Sequence, residues 1–299
     1  MTRRYASPDD FKRALEAHLA TEARRTGEPI ARLRQLVVFD RFLARLQAAF
    51  PNRVVVKGGV ALELRIGGAR ATKDIDASIT GSPRRMPDEL LAAAQMDLGD
   101  AFQFTLARHR EHPDIVGDAV RYGGVRFRSE ARLGRTIYGS PFGVDVAFGH
   151  STVGDPDLLM TRPLLDFVGF AATVVRAVNR ETHIAEKLHA YTQPRPHPNS
   201  RVKDLPDLAL LAMAGPLEAA RVRGAILAVH DARGTHAAPS RFPPPASEWA
   251  VPYARMAQQN GLPWKTLAEV TGAVAAFLDP VLAGSDGVWN PVLWAWGPA

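Results

Sequence analysis

The stretch that most constrains the fold is VVVKGGVALELRIGGARATKDIDAS, residues 54–78. The β-branched run at 53–56 predicts a strand that stops at Gly58 and Gly59, and VALELRI predicts a short helix that Gly67 and Gly68 close. TKDIDASI then alternates polar and apolar residues, which predicts a second strand. A passage from strand through paired glycines to helix and strand indicates a mixed α+β domain.

The second predicted strand carries Asp74 and Asp76. Residues i and i+2 of a strand share a face and lie about 6.6 Å apart along the backbone, so the two carboxylates can converge on divalent ions such as Mg²⁺. The alternative is two ordinary charges at the rim of a strand. Asp145, in the alternating run FGVDVAF, is either a third carboxylate that binds metal and acts as general base or a solvated strand charge.

The glycine pair offers a place for phosphates. A glycine backbone can approach phosphate oxygens closely, and a helix N-terminus favours negative charge. The spacing is neither G-x-G-x-x-G nor a P-loop. The chain has no cysteine, which excludes a disulfide scaffold, a thiolate nucleophile and a cysteine zinc site. It also contains no H-E-x-x-H and no G-x-S-x-G motif.

The sequence pattern of the rest of the chain changes near residue 150, from mixed helix and strand signals to mostly helical ones. Residues 9–50 have a helical pattern, with Ser7 as N-cap and Pro8 at the first helical position. PDELLAAAQMDLGDAF predicts a helix, and GGVRFRSEARLG and FGVDVAFG predict antiparallel strands. DLLMTRPLLDFVGF, ETHIAEKLHAYT and DLPDLALLAMA predict helices. We therefore predict an α+β fold with a mixed sheet flanked by helices in residues 1–150 and a mostly helical part in residues 151–299 that completes the site.

Two helical segments of the second half carry polar residues of interest. ETHIAEKLHAYT is amphipathic, and Lys187 lies on the flank of its apolar stripe. It either points inward to neutralise phosphate charge or pairs with nearby glutamates on the surface. In RVKDLPDL, Asp204 either serves the site or caps the following helix, and Arg201 and Lys203 either bind phosphate or are solvated.

These motifs, in this order, resemble the AbiEii-type nucleotidyltransferase toxins, which belong to the polymerase-β-like nucleotidyltransferase superfamily and include MenT-like toxins. The resemblance rests on GG followed by RATKDIDAS, then VDV, HIAEKLHA and RVKDLPDL, across residues 57–208. It implies a nucleotidyltransferase fold for the first half. Val60 departs from the family, which often carries Ser or Thr after the glycine pair, so a hydroxyl contact to the triphosphate would be missing or supplied by a backbone N–H.

The resemblance implies a Mg²⁺- or Mn²⁺-dependent toxin that transfers NMP from an NTP to a hydroxyl, with the 3′ end of tRNA as expected acceptor, blocking translation. It implies a cognate antitoxin as partner and Thr72 as a position for regulatory phosphorylation. The implied catalytic set is Asp74, Asp76, Asp145, Lys187 and Asp204, with metal on the first three. The implied nucleotide-binding set is Lys57, Gly58, Gly59, Thr72 and Lys187.

The formal net charge of +6 fits an RNA acceptor, although arginine used for solubility explains it equally well. The alternatives are transfer to an aminoglycoside-like small molecule or a protein hydroxyl, or a non-catalytic RNA-binding module. No secretory signal or membrane-length apolar run is visible, so we expect a cytoplasmic monomer. The candidate RNA-binding residues are Arg201, Lys203, the arginines of the N-terminal helices (Arg32, Arg34, Arg41, Arg45) and those of the 121–135 hairpin (Arg121, Arg126, Arg128, Arg132, Arg135).

Overall fold

The computed structural model of the chain describes residues 5–68, 72–115, 123–148, 153–195 and 201–298. In these ranges the α-helices are α1 (Pro8–Thr26), α2 (Ile30–Ala49), α3 (Gly58–Ile66), α4 (Met86–Ala94), α5 (Arg180–Thr192), α6 (Asp204–Met213), α7 (Ala219–Arg233), α8 (Ala250–Gln259) and α9 (Leu267–Leu282). The strands are β1 (Val54–Lys57), β2 (Asp74–Ile79), β3 (Phe102–Arg108), β4 (Asp114–Ile115), β5 (Gly124–Leu133), β6 (Thr136–Ile137), β7 (Phe142–Phe148), β8 (Asp157–Met160), β9 (Val174–Ala177), β10 (Leu217–Glu218), β11 (Val288–Asn290) and β12 (Ala295–Gly297).

A mixed sheet forms the centre of the fold. Its strand order is β3-β5-β7-β2-β1-β9-β8, with β4 and β6 paired to β5. β2 runs parallel to β7 and β1 runs parallel to β9, whereas the pairs β1–β2, β5–β7 and β3–β5 are antiparallel. The predicted α+β class, with a mixed sheet flanked by helices, is confirmed.

Helix α1 begins and ends as its sequence predicts. The Ser7 side chain accepts a hydrogen bond from the Asp10 backbone N–H at 3.1 Å, and Pro8 occupies the first turn. Gly27 ends the helix with φ 75°, a left-handed conformation that glycine adopts without a Cβ clash. Leu15 and Leu19, one turn apart, are fully buried in the apolar cluster that packs on the central sheet.

The two faces of the sheet differ in character. Ile75 of β2, Val144 of β7 and Val56 of β1 are fully buried and belong to one apolar cluster with α1, α2 and α4. The alternate residues of the same strands point to the opposite face, because side chains alternate along a strand. Asp76 and Asp145 are on this second face, which is only partly covered.

Two predicted helices are wrong in part. DLLMTRPLLDFVGF forms β8 and a 3₁₀ turn at Asp166–Val168, and β9 then pairs with β8 and β1. The helix predicted over 87–102 ends as α4 at Ala94, and β3 begins at Phe102. Local periodicity does not distinguish a short strand such as β8 from a short helix, because both contain short apolar runs.

The buried apolar residues form two clusters. One runs from Phe11 to Val178 and packs on the central sheet, and the other comprises Leu62 and residues from Ile184 to Trp289. The predicted division at residue 150 stays a prediction, and the clusters favour a division near Asn179. Across the described ranges, no helix has both the length and the apolar character needed to cross a membrane.

The arginines of α2 are held in ion pairs. Arg41 pairs with Asp40 at 2.5 Å and Arg45 pairs with Asp100 at 2.8 Å, and all four side chains are buried. The expectation that these two arginines belong to an RNA-binding surface is therefore wrong. Arg32 pairs with Glu63, and Arg34 with Glu16.

Candidate active site

The turn between β1 and α3 brings glycine backbone against two polar side chains. Gly58 has φ 61°, and a Cβ at this position would overlap Asp76 Oδ2. A Cβ on Gly59 would lie 2.6 Å from Thr72 Oγ1. Only glycine fits this approach, and no side chain caps the N-terminus of α3. The turn therefore presents backbone N–H groups beside a carboxylate, as phosphate binding next to a cation requires.

The three candidate aspartates come together on two adjacent strands. In the parallel register of β2 and β7, Asp76 lies beside Asp145 and Asp74 lies beside Gly143. Asp74 Oδ1 accepts a hydrogen bond from the Gly143 backbone N–H at 3.2 Å. A Cβ on Gly143 would lie 2.5 Å from Asp74 Oδ1, so this glycine also makes room for a carboxylate.

The proximity of these carboxylates changes the acidity of Asp76. Burial, together with the negative charges of Asp145 and Asp74, raises the pKa of Asp76 to about 6, while Lys187 and Lys203 oppose the shift. The charged form of Asp76 is therefore disfavoured both by burial and by its neighbouring carboxylates. A bound cation would remove that penalty.

A transverse row of four charges crosses the sheet on neighbouring strands. The registers place Lys57 beside Asp76, Asp76 beside Asp145, and Asp145 beside Arg126. Arg126 Nε donates to both carboxylate oxygens of Asp145, at 2.9 and 3.0 Å. Lys57 Nζ forms its ion pair with Glu186 Oε1 of α5, at 2.5 Å. The row is formally neutral, and its two aspartates lie at the centre.

Lys187 belongs to a buried ion-pair cluster between α5 and α6. Its Nζ lies 2.9 Å from Asp204 Oδ1 and 2.6 Å from Asp207 Oδ2, and both carboxylates are fully buried. Arg201 is 3.8 Å from Asp204. Lys187 thus points inward to two buried carboxylates, and Asp204 lies at the first position of α6 rather than capping it.

Asp207 is the site residue that sequence reasoning missed. It is three residues after Asp204 on the same helix, so the two carboxylates project from one face and meet the same ammonium group. The repeated acid in KDLPDL was the available signal. Two buried carboxylates fix the position of Lys187, which is close enough to Asp76 to lower the pKa of that carboxyl.

A cleft of about 610 Å³ opens beside Asp74, between α2 and the ends of β2 and β7. This volume is typical of small-molecule sites. Its polar lining consists of Arg32, Gln35, Glu63, Thr72, Lys73, Asp74, Arg128 and Ser140.

The carboxylate oxygens of the site are the donor type that a hard divalent cation prefers. Among the described residues, no group of three or more His, Asp or Glu side chains is arranged so that it could hold a metal ion. Asp145 is held by Arg126, while Asp74 and Asp76 project from one face of β2. The observation that favours a cation here is the placement of Asp76 beside Asp145 in the register of β2 and β7, with Asp74 on the same face of β2, because neighbouring carboxylates repel one another and a cation relieves that repulsion.

The remaining candidate RNA-binding residues are dispersed around this face. Arg128, Arg132, Arg135 and Lys203 are exposed, and Arg201 is half-buried against Asp204. Arg126 is turned toward Asp145. Arg121 lies outside the described residues.

Comparisons with known proteins agree with this architecture. The sequence model of the family described as nucleotidyl transferase AbiEii toxin, type IV toxin–antitoxin system, matches residues 41–270. MenT4, a nucleotidyltransferase toxin from Mycobacterium tuberculosis, has a similar structure with 20% sequence identity, a TM-score of 0.52, and coverage of 94% of this chain and 93% of MenT4. JHP933 from Helicobacter pylori aligns with 13% identity and a TM-score of 0.43 over 85% of this chain and 94% of its own. No curated protein sequence matches the chain significantly.

Proposed function

The chain belongs to the AbiEii nucleotidyltransferase toxin family, and from this premise we propose that it transfers a nucleoside monophosphate from an NTP to the 3′-terminal hydroxyl of tRNA. The observation that carries the proposal is the placement of Asp76 beside Asp145 and against Gly58. In this proposal, the carboxylates that bind metal and the turn that binds phosphate lie next to each other on the sheet. Blocked tRNA ends would stop translation, which accounts for toxicity, and a cognate antitoxin would restrain it.

In the proposed reaction, the acceptor hydroxyl oxygen attacks the α-phosphorus. A new P–O bond forms, the bond to the β-phosphate oxygen breaks, and pyrophosphate leaves. Asp74, Asp76 and Asp145 would hold Mg²⁺, which neutralises charge on the phosphates and carboxylates when bound. Asp145 lies on the strand next to Asp76 and is the proposed acceptor of the hydroxyl proton.

The other site residues bind and orient the nucleotide in this proposal. The backbone N–H groups at the start of α3, which no described side chain caps, would bind phosphate oxygens with Lys57 beside them. Lys187, fixed by Asp204 and Asp207, supplies positive charge on the side of the site that faces α5. The cleft beside Asp74 has room for the base and ribose or for the acceptor end.

We also propose that phosphorylation of Thr72 would switch the protein off. Thr72 Oγ1 donates to the Asp74 backbone carbonyl at 3.2 Å and lies against Gly59. A phosphate on this oxygen would take the position proposed for the nucleotide's phosphates and would add negative charge beside Asp74.

A labelled-transfer assay tests the proposed activity. The protein is incubated with each α-labelled NTP, Mg²⁺ and total tRNA, beside the matched variant Asp76→Asn, which keeps the side-chain shape and removes the charge. We expect label on tRNA, and a rate lower by at least about 10²-fold in the variant, because one stabilising group at a charged reaction centre is worth that much.

The other outcomes discriminate the alternatives. Label that appears only on a small molecule or a protein indicates a different acceptor for the same chemistry. Salt-sensitive RNA binding without any transfer indicates a non-catalytic RNA-binding module. Expression of the wild-type chain should also arrest growth, and Asp76→Asn should relieve that arrest.

A further inference from the structure

The third carboxylate of the site has a cationic partner within the chain. Arg126 Nε lies within 3.0 Å of both Asp145 oxygens, in the position a metal ion would need in order to use this carboxylate. The strand registers place Arg126 beside Asp145 and Asp145 beside Asp76, so Arg126 lies next to the carboxylate group through its nearest member.

The pair is placed so that it can open. The Arg126 side chain is 35% exposed and Asp145 is 24% exposed, so neither is locked in the core. An ion pair with this exposure is weak, because water solvates both charges when they separate. By comparison, Lys187 is held between two fully buried carboxylates and cannot be released at similar cost.

We infer that Arg126 is a displaceable internal cation that occupies the third metal ligand until nucleotide arrives. This inference rests on the proposed function. Arg126 and a divalent ion compete for Asp145, so metal alone binds weakly. An NTP–metal complex brings its own cation for Asp145 and a triphosphate anion for the released guanidinium, and Arg126 becomes a nucleotide-binding residue. Asp145 therefore has a cation beside it both before and after the NTP–metal complex binds.

Metal binding without nucleotide tests the inference. Free Mn²⁺ is measured by electron paramagnetic resonance during titration of the wild type, Arg126→Gln and Arg128→Gln. Arg128 is the matched control because it lies two residues along β5 on the same face, opposite Gly143 rather than Asp145. We expect Arg126→Gln to bind Mn²⁺ about tenfold more tightly than the wild type, and Arg128→Gln to change the affinity by less than about twofold.

The same variants are then titrated with a non-hydrolysable NTP analogue at saturating Mg²⁺, so that the metal can replace Arg126 at Asp145. Arg126→Gln should bind the analogue more weakly than the wild type, since the guanidinium that receives the triphosphate is gone. In Asp145→Asn the ligand for which Arg126 competes is gone, so adding Arg126→Gln to that variant should no longer tighten Mn²⁺ binding. Circular dichroism verifies that each variant is folded, and Arg126→Lys repeats the test with the charge retained and is expected to fall between the two.

The opposite results overturn the inference. If Arg126 only positions Asp145 for metal, Arg126→Gln will bind Mn²⁺ more weakly than the wild type. An equal gain in Arg128→Gln would assign the effect to the general field of the sheet. The absence of Mn²⁺ binding to every variant overturns the inference and the proposed metal site together. Asp76-dependent transfer with unchanged Mn²⁺ affinity in Arg126→Gln overturns the inference alone.

Discussion

At the scale of single residues, the site is built from side chains that oppose folding. Asp76 is close to two other carboxylates and lies against Gly58, so its charge is poorly compensated in the folded chain. Residues that lower the stability of the folded chain and cluster in one place are expected at functional sites.

Replacement of Asp76 by Asn should therefore stabilise the metal-free protein at pH 8. The folded pKa of about 6 lies above the ordinary value of 3.8. The folded chain thus holds the proton more tightly, and its relative stability falls as pH rises from about 4 to 6 and stays low above that range. We expect Asp76→Asn to raise the free energy of unfolding by about 1–2 kcal/mol at pH 8 in EDTA, less than the full shift would give because the side chain is partly exposed.

Urea denaturation at two pH values measures this difference. The gain should nearly vanish at pH 3.5, where Asp76 is protonated in both states, and Mg²⁺ should stabilise the wild type more than the variant. A variant that is less stable than the wild type at pH 8 would contradict the assigned electrostatics.

Residue patterns identified much of the site in advance. The alternation of TKDIDASI and FGVDVAF predicts which side chains face away from the core, and the structure places Asp74, Asp76 and Asp145 together. The role of Arg126 could not be predicted, since it depends on the register between β5 and β7. Asp207 depends in the same way on the approach of α5 to α6.

At the scale of elements, helices with strong caps and strands with clear alternation were predictable, whereas β8 was not. α1 carries its own caps, so its start at Pro8 follows from the sequence. β8 contains exposed Leu158 and Met160 and is positioned by contacts distant in sequence, which are its pairing with β9 and the ion pair of Asp157 with Arg65. The spacing of its apolar residues predicts a helix, because a short apolar run is compatible with both a helix and a strand.

Helix α5 contains a histidine that should make the protein acid-sensitive. His183 is 1% exposed, and neither ring nitrogen has a hydrogen-bond partner among the described residues. Burial, followed by the charge of Lys187, lowers the pKa of His183 to about 3. His183 therefore binds a proton more tightly in the unfolded chain than in the folded chain. The free energy of unfolding decreases as the pH falls from about 6.5 toward 3.

Substitution of His183 by Leu should reduce this acid sensitivity. At pH 5 the proton taken up on unfolding costs the wild type on the order of 2 kcal/mol. We expect the free energy of unfolding to fall between pH 7.5 and pH 5 by about that much less in His183→Leu than in the wild type. The control His112→Leu, at an exposed loop position, should leave the pH dependence unchanged. Equal losses in wild type and His183→Leu would refute the assignment.

At the scale of the whole molecule, the site lies where the two apolar clusters meet. The three aspartates come from the strands of the first cluster, whereas Lys187 and Asp204 come from helices of the second. Helix α3 joins them, because Val60 and Ala61 pack in the first cluster and Leu62 packs in the second. Lys57 adds an ion pair to Glu186 across the same junction. The site geometry therefore depends on the two parts folding as one unit.

Leu62 provides a test of this coupling, since all five tryptophans lie between residues 249 and 296. Trp249 and Trp289 are buried in the second cluster, so tryptophan fluorescence follows the helical part. Leu62→Ala should lower the free energy of unfolding seen by fluorescence by about 2–4 kcal/mol, because a fully buried leucine is replaced by a cavity. Circular dichroism, which follows the helices of both parts, should shift by the same amount.

Leu64→Ala is the matched control within the same helix. Leu64 is only partly buried and packs against the first cluster, so we expect a smaller loss, again equal by the two probes. Leu62 itself packs in the second cluster, so a fluorescence transition that shifts while part of the circular dichroism transition stays at the wild-type position would show that the parts unfold separately. The aspartates and Lys187 would then lose their relative positions when the less stable part unfolds, and transfer activity would be lost with that part.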